Sequence, residues 1–557
     1  MRVLLVLLSL VLAAPVAGVL LSWVRLDAQA LAVLGHQAQT VLAGYVAQSL
    51  LLAVGVAVGT AVLGVGTAVA VALFRFPGRR FFEWGLLLPM AMPAYVLAYA
   101  ATDALQPSGP LQQALRQTLD AWRGAGPSGG AGGPLVSCVL PDVRSLGGAI
   151  PLFVLCLYPY VYLLTRTALG DRAVQMMEAA RLLGAGLTRR LLTVALPLAR
   201  PAVVAGVALA LMETLADYGV GAFFGLATFT TGIYRAWLSM NDPVAALQLA
   251  SLLLAVVALL LALERRAQAR LRFASSRAGA AQAAEARPVV LRGAAGWAMW
   301  GFCVLPVLLG FGLPVAWLLG MLWREAQYAE MGLPLERFVQ WSWASFRLAG
   351  ISALAATAVA LALGFALRRP QAARPGADAA LGWAARLLSL GYAVPGAVVA
   401  IGILVPLGWV QQRWPESALT PWFTGTVLGV LYAYLVRFSS VALQSVEAGY
   451  ARVPASVDET ARMLGAGRAR VFWRLHLPLL RRPALAAMLL VFVDVMKELP
   501  ATLVLRPFNA DTLAVVAFNL ARDERLGEAA LPSLAIVLVG LVPVVMLSRA
   551  LRTGEPG

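Results

Sequence analysis

The sequence predicts an all-α polytopic membrane protein with about twelve transmembrane helices, arranged as two homologous halves of six helices. Of its 557 residues 61% are hydrophobic and 13% are charged, which is more apolar than a soluble core requires. Apolar runs long enough to cross a bilayer, which takes about 20 helical residues, recur along the chain. An arginine-rich stretch at residues 178–201 also recurs at residues 459–483.

The charge pattern argues against nucleic-acid binding and against nucleotide hydrolysis by this chain. The net charge is +17, but the arginines lie mostly between apolar runs, as in cytoplasmic loops of membrane proteins. A phosphate-binding loop needs Gly-Lys-Ser/Thr, whereas the single lysine, Lys497, stands in Met-Lys-Glu. The sequence therefore predicts no nucleic-acid partner and no ATP hydrolysis by that route.

Cysteine and histidine positions do not indicate a metal site. The three cysteines, Cys138, Cys156 and Cys303, form no C-x-x-C pair, which argues against a disulfide framework or a metal centre. The two histidines, His36 and His476, are far apart in sequence, and we expect ordinary surface or interface roles for both.

The first half, residues 1–263, begins with a segment that has two interpretations. Arg2, an apolar run and a small-residue stretch are typical of a cleaved signal peptide, but the run continues to Trp23, which favours an uncleaved helix. The glycine-rich segment 102–147 is expected to be a periplasmic loop. The six helices of this half are predicted at residues 1–23, 45–74, 84–101, 148–164, 202–224 and 244–263.

A basic, alanine-rich linker at residues 264–292 separates this half from the second, residues 293–557. An even number of helices in each half gives both halves the same orientation, so they form a parallel repeat with both termini in the cytoplasm. The six helices of the second half are predicted at residues 297–323, 346–367, 386–409, 424–440, 483–505 and 530–547.

The two arginine-rich stretches, here called the first island (residues 178–201) and the second island (residues 459–483), align without a gap at an offset of 281 residues, Glu178 against Glu459. Each follows the fourth helix of its half. By alternation of the helices, and by the positive-inside rule, both islands are expected on the cytoplasmic side.

Each island is predicted to form a helical hairpin. Residues 178–183 and 459–464 suit a short helix, which Ser456 and Glu459 would cap in the second copy. The following Gly-Ala-Gly permits a sharp turn, because glycine adopts positive φ at little cost. A second short helix then leads to Leu-Pro, where the chain is expected to turn toward the membrane.

The tips of the islands are expected to meet a partner surface. Leu182, Leu183, Met463 and Leu464 form an apolar stripe, and helices this short are marginal in water without a partner. An amphipathic loop at the membrane interface is the alternative. The same spacing in two copies favours docking.

This pattern resembles the coupling loop of binding-protein-dependent permeases of type I ABC importers, which docks into separate ATPase subunits. The resemblance covers nearly the whole chain, with Thr460 replacing the middle alanine of the second copy. The matching residues are Glu178, Ala179, Ala180, Gly184, Leu196 and Pro197 in the first copy, and Glu459, Thr460, Ala461, Gly465, Leu477 and Pro478 in the second.

Two further stretches, 26 and 24 residues long and beginning at Met212 and Phe492, resemble the iron(III) branch of that family, in which fused permeases are typical. Thiamine, phosphonate, polyamine and sulfate branches remain alternatives. The resemblance implies an inner-membrane permease that carries out no catalysis. It also implies a periplasmic binding protein and an ATPase, in two copies, that binds the ATP and magnesium; no cofactor or metal site is expected on this chain.

Charged residues inside the fifth helix of each half are candidates for the translocation path: Glu213, Asp217, Asp494, Lys497 and Glu498. Intramembrane charges are costly, so they usually face a cavity or pair with one another. An ion pair between Asp494 and Lys497 that only packs the structure is one alternative. Contact with the binding protein near the outer surface is another.

Two functions of a different class remain open on the sequence. An ion-driven secondary transporter with parallel repeats would need no ATPase, and a membrane scaffold would need no transport path. The paired islands argue against both.

Overall fold

The protein, for which we describe a computed structural model, is helical throughout most of its length. The described residues are 2–21, 23, 28–106, 109–122, 142–169, 174–276, 289–328, 333–368, 375–451 and 453–552. Predictions for Cys138, for residues 123–141 of the glycine-rich segment and for the middle of the linker lie outside the described residues. The expected loop is wrong for residues 110–122 of that segment, which form a helix.

The predicted helices at 84–101 and 386–409 are each interrupted by a turn of 3-10 helix, although every one of the twelve predicted apolar runs contains helices. Those of the first half are α1 (Arg2–Leu21), α2 (Ala28–Thr40), α3 (Leu42–Leu73), α4 (Arg79–Gly85), α5 (Ala94–Leu105), α6 (Pro110–Trp122), α7 (Leu146–Ala168), α8 (Val174–Leu182), α9 (Leu187–Arg190), α10 (Leu196–Ala216), α11 (Gly219–Phe223), α12 (Phe229–Tyr234) and α13 (Pro243–Ser276).

The second half follows the same plan. Its helices are α14 (Ala294–Val307), α15 (Leu313–Tyr328), α16 (Leu335–Leu367), α17 (Pro375–Leu388), α18 (Gly396–Arg413), α19 (Leu419–Gly425), α20 (Leu428–Tyr450), α21 (Ala455–Met463), α22 (Arg468–Val471), α23 (Leu477–Leu479), α24 (Arg481–Lys497), α25 (Pro500–Leu505), α26 (Leu513–Arg522) and α27 (Leu526–Arg552).

Strand β1 (Phe74–Arg75) pairs in parallel with β2 (Val289–Val290), so the end of the linker lies beside the first basic loop. Shorter turns of 3-10 helix lie at Leu88–Ala91 and Gly391–Ala393. Turns of π-helix lie at Leu191–Ala195, Arg235–Ser239, Leu308–Gly312 and Phe472–His476.

The polytopic all-α fold is confirmed, but fewer helices than predicted meet the requirements for a membrane span. In the described part of the chain eight helices are long and apolar enough, or ten if each of two bent pairs counts as one. Within the residues whose side chains are described, the first predicted span is the shorter apolar helix Leu5–Leu20. The eleventh falls short because α24 has 17 residues and ends at an irregular residue, Glu498.

Helix α3 shows why both faces of these helices are apolar. Leu50, Val54, Val58 and Val62 recur every fourth residue, which places them on one face, and each is more than half exposed. Leu52 and Val56 lie on the opposite face and are buried. An exposed aliphatic stripe of this length is what a lipid-facing helix surface presents.

The chain folds into two compact units, and each unit is built from three separate segments of the sequence. The first unit contains residues 1–39, 232–254 and 334–516, and the second contains residues 40–231, 255–333 and 517–557. Within the first unit the N-terminal α1 packs against α17 and α18. Within the second unit the C-terminal α27 packs against α15. The two compact units therefore do not coincide with the two halves of the sequence repeat.

Candidate functional site

Both islands form helical hairpins, as predicted. In the first, α8 is followed by a turn and α9; in the second, α21 is followed by a turn and α22. Each first helix begins four residues earlier than the sequence indicated, at Val174 and at Ala455. The two hairpins therefore have the same order of helix, turn and helix, although their residues differ.

The turn of each hairpin depends on its first glycine. Gly184 has φ +82° and Gly465 has φ +71°, a backbone conformation that side chains with a Cβ rarely adopt. The amide of Ala185 donates to the carbonyl of Ala180 at 3.0 Å, and that of Ala466 donates to Ala461 at 3.0 Å. These bonds close a Schellman turn, in which glycine is the preferred residue. The predicted glycine turn is confirmed.

Two local predictions are wrong. Ser456 does not cap the second hairpin, because α21 already begins at Ala455 and encloses it. The predicted turn at Leu-Pro is wrong for the first island, where one helix continues from Leu187 to Ala216. In the second island α23 ends at Leu479 and α24 begins at Arg481. In both islands a π-turn precedes the proline, at Leu191–Ala195 and Phe472–His476, and widens the helix where the proline lacks an N–H.

The tips present apolar side chains to solvent. Leu182 and Leu183 are 85% and 87% exposed, and Met463 and Leu464 are 89% and 81% exposed. Adjacent large apolar residues this exposed, next to glycine turns and flanked by arginines, are typical of a protein-binding surface. They contribute nothing to the core of the chain itself.

The second hairpin is attached to its bundle by charged groups. Asp458, in the first turn of α21, accepts a hydrogen bond from Arg368 Nε at 2.6 Å and lies 2.5 Å from His476 Nε2. The predicted surface or interface role of His476 is wrong, because its side chain is 1% exposed. Sequence reasoning missed this cluster because its members are far apart in the chain.

These contacts keep Asp458 ionised. Partial desolvation, the largest single influence, would raise the pKa of Asp458, but hydrogen bonds and charges from Arg368 and His476 outweigh it and hold the pKa below its ordinary value. Because the pKa of Asp458 is lower in the folded protein, its ionisation stabilises the fold at any pH above its pKa in the unfolded chain, about 3.9. This stabilisation is lost as the pH falls through the lower pKa of the folded state. The Asp458 carboxylate therefore stays charged across neutral pH.

The first hairpin is attached by apolar contacts. Met177 and Ala195, which align with Asp458 and His476, are both buried in a hydrophobic cluster with Val71 and Leu169. The guanidinium of Arg190 donates to the carbonyl of Met177 at 3.4 Å. The two islands thus share their tips and their turns, but not their anchors.

The candidate path residues Asp217 and Glu498 occupy equivalent helix breaks. α10 ends at Ala216 and α24 at Lys497, and the next residue has φ −70°, ψ 132° at Asp217 and φ −71°, ψ 120° at Glu498. The predictions of continuous helices to 224 and 505 are wrong at these residues. Each acidic side chain accepts a hydrogen bond from the start of the following short helix, as an N-cap does.

The two helix breaks differ in whether a basic side chain neutralises the acidic residue. Glu498 accepts hydrogen bonds from the amides of Ala501 and Thr502, from the Thr502 hydroxyl, and from Arg437 Nη1 at 2.9 Å. Its side chain is 1% exposed. Asp217 accepts from the Val220 amide at 2.8 Å, and no basic side chain of the described residues pairs with it. The position aligned with Arg437 is Cys156.

Arg437 is a residue that sequence reasoning missed. Its signal was an isolated arginine inside the predicted tenth helix, where a charge needs a partner. Gly396 completes the site, because a Cβ on it would lie 2.7 Å from Glu498 Oε1. The start of α18 can therefore approach the carboxylate closely.

The ion pair between Asp494 and Lys497 is confirmed, with Nζ and Oδ1 3.8 Å apart. Glu213 lies one helical turn before Asp217 on α10 and is partly exposed. That these residues line a translocation path stays a prediction, as does the docking role of the coupling-loop residues.

The ion pair leads to a testable expectation. Lys497→Met should lower the amount of folded protein in membranes more than the double variant Lys497→Met/Asp494→Asn, because the single variant deprives Asp494 of a nearby cation. Quantitative immunoblotting of membrane fractions measures this. Equal levels of the two variants would show that the pair has no net effect on stability.

Both halves of the chain are similar to known membrane transport proteins. Residues 60–273 and 380–553 match the sequence profile described as binding-protein-dependent transport system inner membrane component. The chain is 24% identical over 512 residues to the Fe(3+)-transport system permease protein FbpB 2 of Haemophilus influenzae, covering 91% of this chain and 90% of that one.

Other relatives match a smaller part of the chain. The putative 2-aminoethylphosphonate transport system permease protein PhnV of Salmonella typhimurium is 30% identical over 31% of this chain and 62% of its own length. The molybdenum transport system permease protein ModB of Escherichia coli is 27% identical over 26% of this chain and 55% of its own.

Proposed function

Because the chain belongs to the family of binding-protein-dependent transport system inner membrane components, we propose that it imports iron(III) as the permease subunit of an ATP-driven transporter. The observation that carries this proposal is the repeated hairpin, in which the same glycine turn presents an exposed apolar pair in each half. A surface of this kind, built twice, suits docking of a motor that this chain lacks.

The motor is proposed to be two copies of one ATPase subunit. The tips are chemically alike, Leu182–Leu183 in one and Met463–Leu464 in the other, so one type of pocket would accept both. ATP and magnesium would be bound by these subunits, which face the cytoplasm of an inner-membrane transporter whose termini lie on the same side. A periplasmic binding protein would deliver the cargo from the opposite side.

The helix that begins at the tip of the first hairpin connects that tip to the membrane interior. From Leu187 to Ala216 the chain is one helix of 30 residues, which spans about 45 Å at 1.5 Å per residue. Its far end is the break at Asp217. When ATP binding draws the two hairpins together, this helix would move the break, and alternating access would follow.

Two observations favour iron(III) as the cargo. The relative described as an Fe(3+) permease matches both halves, over nine-tenths of each chain, whereas the phosphonate and molybdenum permeases match less than a third of this chain. The break at Asp217 also carries a carboxyl group that no basic side chain of the described residues neutralises, which favours a cation over an oxyanion. Phosphonate, molybdate and thiamine are the cargoes against which iron should be tested.

Uptake measurements test the proposal directly. Cells with and without this chain should differ in ATP-dependent accumulation of labelled iron(III), and not in accumulation of labelled 2-aminoethylphosphonate, molybdate or thiamine. A difference for one of the other cargoes would overturn the iron assignment alone. Uptake driven by an ion gradient, with no nucleotide-binding subunit co-purifying, would favour a secondary transporter instead.

Substitutions at the tips test whether the ATPase docks there. Leu183→Asp together with Leu464→Asp should abolish co-purification of the ATPase, because charge is placed in a contact that requires apolar groups. Tyr328→Asp is a matched control: Tyr328 is 79% exposed at the end of α15, on the opposite side in the predicted topology. Retention of the ATPase by the double variant would contradict docking at the tips.

A further inference from the structure

We propose that Asp458 is a positioning residue that transmits movement of the second hairpin to α16 through Arg368 and His476, and that the first hairpin is coupled to its bundle less rigidly. This inference rests on the proposed function. It assigns a role to a cluster that lies outside the tips and outside the helix breaks.

Arg368 joins three helices at one point. It directly follows α16, and its guanidinium donates to the carbonyls of Tyr450, Val453 and Pro454 at 3.0, 2.6 and 2.7 Å. Tyr450 ends α20, and Pro454 immediately precedes α21. Arg368 Nε donates to Asp458 at 2.6 Å. The helix dipoles favour both contacts, because the Arg368 cation lies at the C-terminus of α20 and the Asp458 carboxylate lies in the first turn of α21.

His476 ties the returning arm of the hairpin to the same carboxylate. It ends the π-turn before α23, and its Nε2 lies 2.5 Å from Asp458 Oδ1. The imidazole is held between the rings of Phe365 on α16 and Tyr450, with centroids 5.1 and 5.5 Å away. Asp458 therefore fixes both arms of the hairpin to α16.

Among the described residues, which leave out 170–173, the first hairpin has no such charged attachment point. Met177 and Ala195 stand at the aligned positions, and the cluster that buries them is apolar. Apolar contact is non-directional and tolerates sliding, whereas charged hydrogen bonds are short and angle-dependent. A rotation of the second hairpin must consequently move α16 with it, while the first hairpin can shift against α3.

The test is the number of ATP molecules hydrolysed for each iron(III) ion imported, measured on the complete transporter in vesicles with its ATPase and binding protein. Asp458→Asn is expected to preserve ATPase association and hydrolysis, to lower uptake, and to raise this ratio between about twofold and thirtyfold. Met177→Leu, a volume-conserving change at the aligned position, is expected to leave the ratio unaltered.

A second variant separates positioning from folding. Asp458→Met/His476→Ala gives the second hairpin the residues of the first, so it should still bind the ATPase but show the raised ratio. An unchanged ratio in both variants would overturn the inference, and so would parallel loss of ATPase binding and uptake, which indicates a purely structural role. Absence of ATP-dependent uptake by the unmodified chain would overturn the proposed function instead.

Discussion

Replacing Gly184 and Gly465 together by valine is expected to abolish ATP-dependent uptake. Both glycines have φ above +70°, where a residue with a Cβ loses about 1–2 kcal/mol and a β-branched one more. The turn would then relax to negative φ and redirect the exposed tip pair. Uptake of labelled cargo by cells expressing the double variant at normal level measures the effect.

The neighbouring glycines of the same loops provide the control. Gly186 and Gly467 have φ −64° and −67°, and a Cβ on either would meet nothing within 4 Å. Gly186→Ala/Gly467→Ala should therefore retain uptake. A Cβ at Gly184 or Gly465 would also meet nothing, so the expected difference comes from backbone conformation alone. Equal uptake by the two double variants would contradict a requirement for these turns.

Replacing Glu498 by alanine is expected to have the largest effect on stability. The change leaves the Arg437 guanidinium buried without its carboxylate, which costs about 3–5 kcal/mol in buried ion pairs. It also removes the acceptor for two amides at the start of α25. The thermal midpoint of the detergent-purified protein should fall steeply, or the protein should fail to accumulate.

Two further variants show whether the ion pair is responsible. Glu498→Ala/Arg437→Met should recover part of the lost stability, because no buried charge is left alone. Asp217→Asn should cost about 1 kcal/mol or less, since the amide oxygen can still accept from Val220 and no basic partner is deprived. A larger effect at Asp217 than at Glu498 would contradict the assigned difference between the breaks.

Features set by local sequence were predictable. Apolar runs of membrane length located the helices, because lipid-facing and core-facing sides are both apolar, as α3 shows. The turns at Gly184 and Gly465 followed from the conformational freedom of glycine. The pair Asp494–Lys497 followed from helical spacing of three residues.

Features set by distant residues were not predictable from one sequence. Arg437 meets Glu498 across 61 positions, and Arg368 meets Asp458 across 90, so neither pairing leaves a local pattern. The break at Asp217 was missed because the apolar run continues past it. Ser456 had the spacing of a cap, but α21 begins one residue before it, at Ala455. The interleaving of the two compact units is likewise a tertiary property.

The most direct measurement of the central claim is the side of the membrane on which the hairpin tips lie. Cysteine is introduced at Leu183 or Leu464, both more than 80% exposed, in a chain carrying Cys138→Ser, since Cys156 and Cys303 are buried. A membrane-impermeant maleimide should leave these cysteines unlabelled in intact cells and label them after permeabilisation. Labelling from outside intact cells would place the tips away from any cytoplasmic motor and contradict the account.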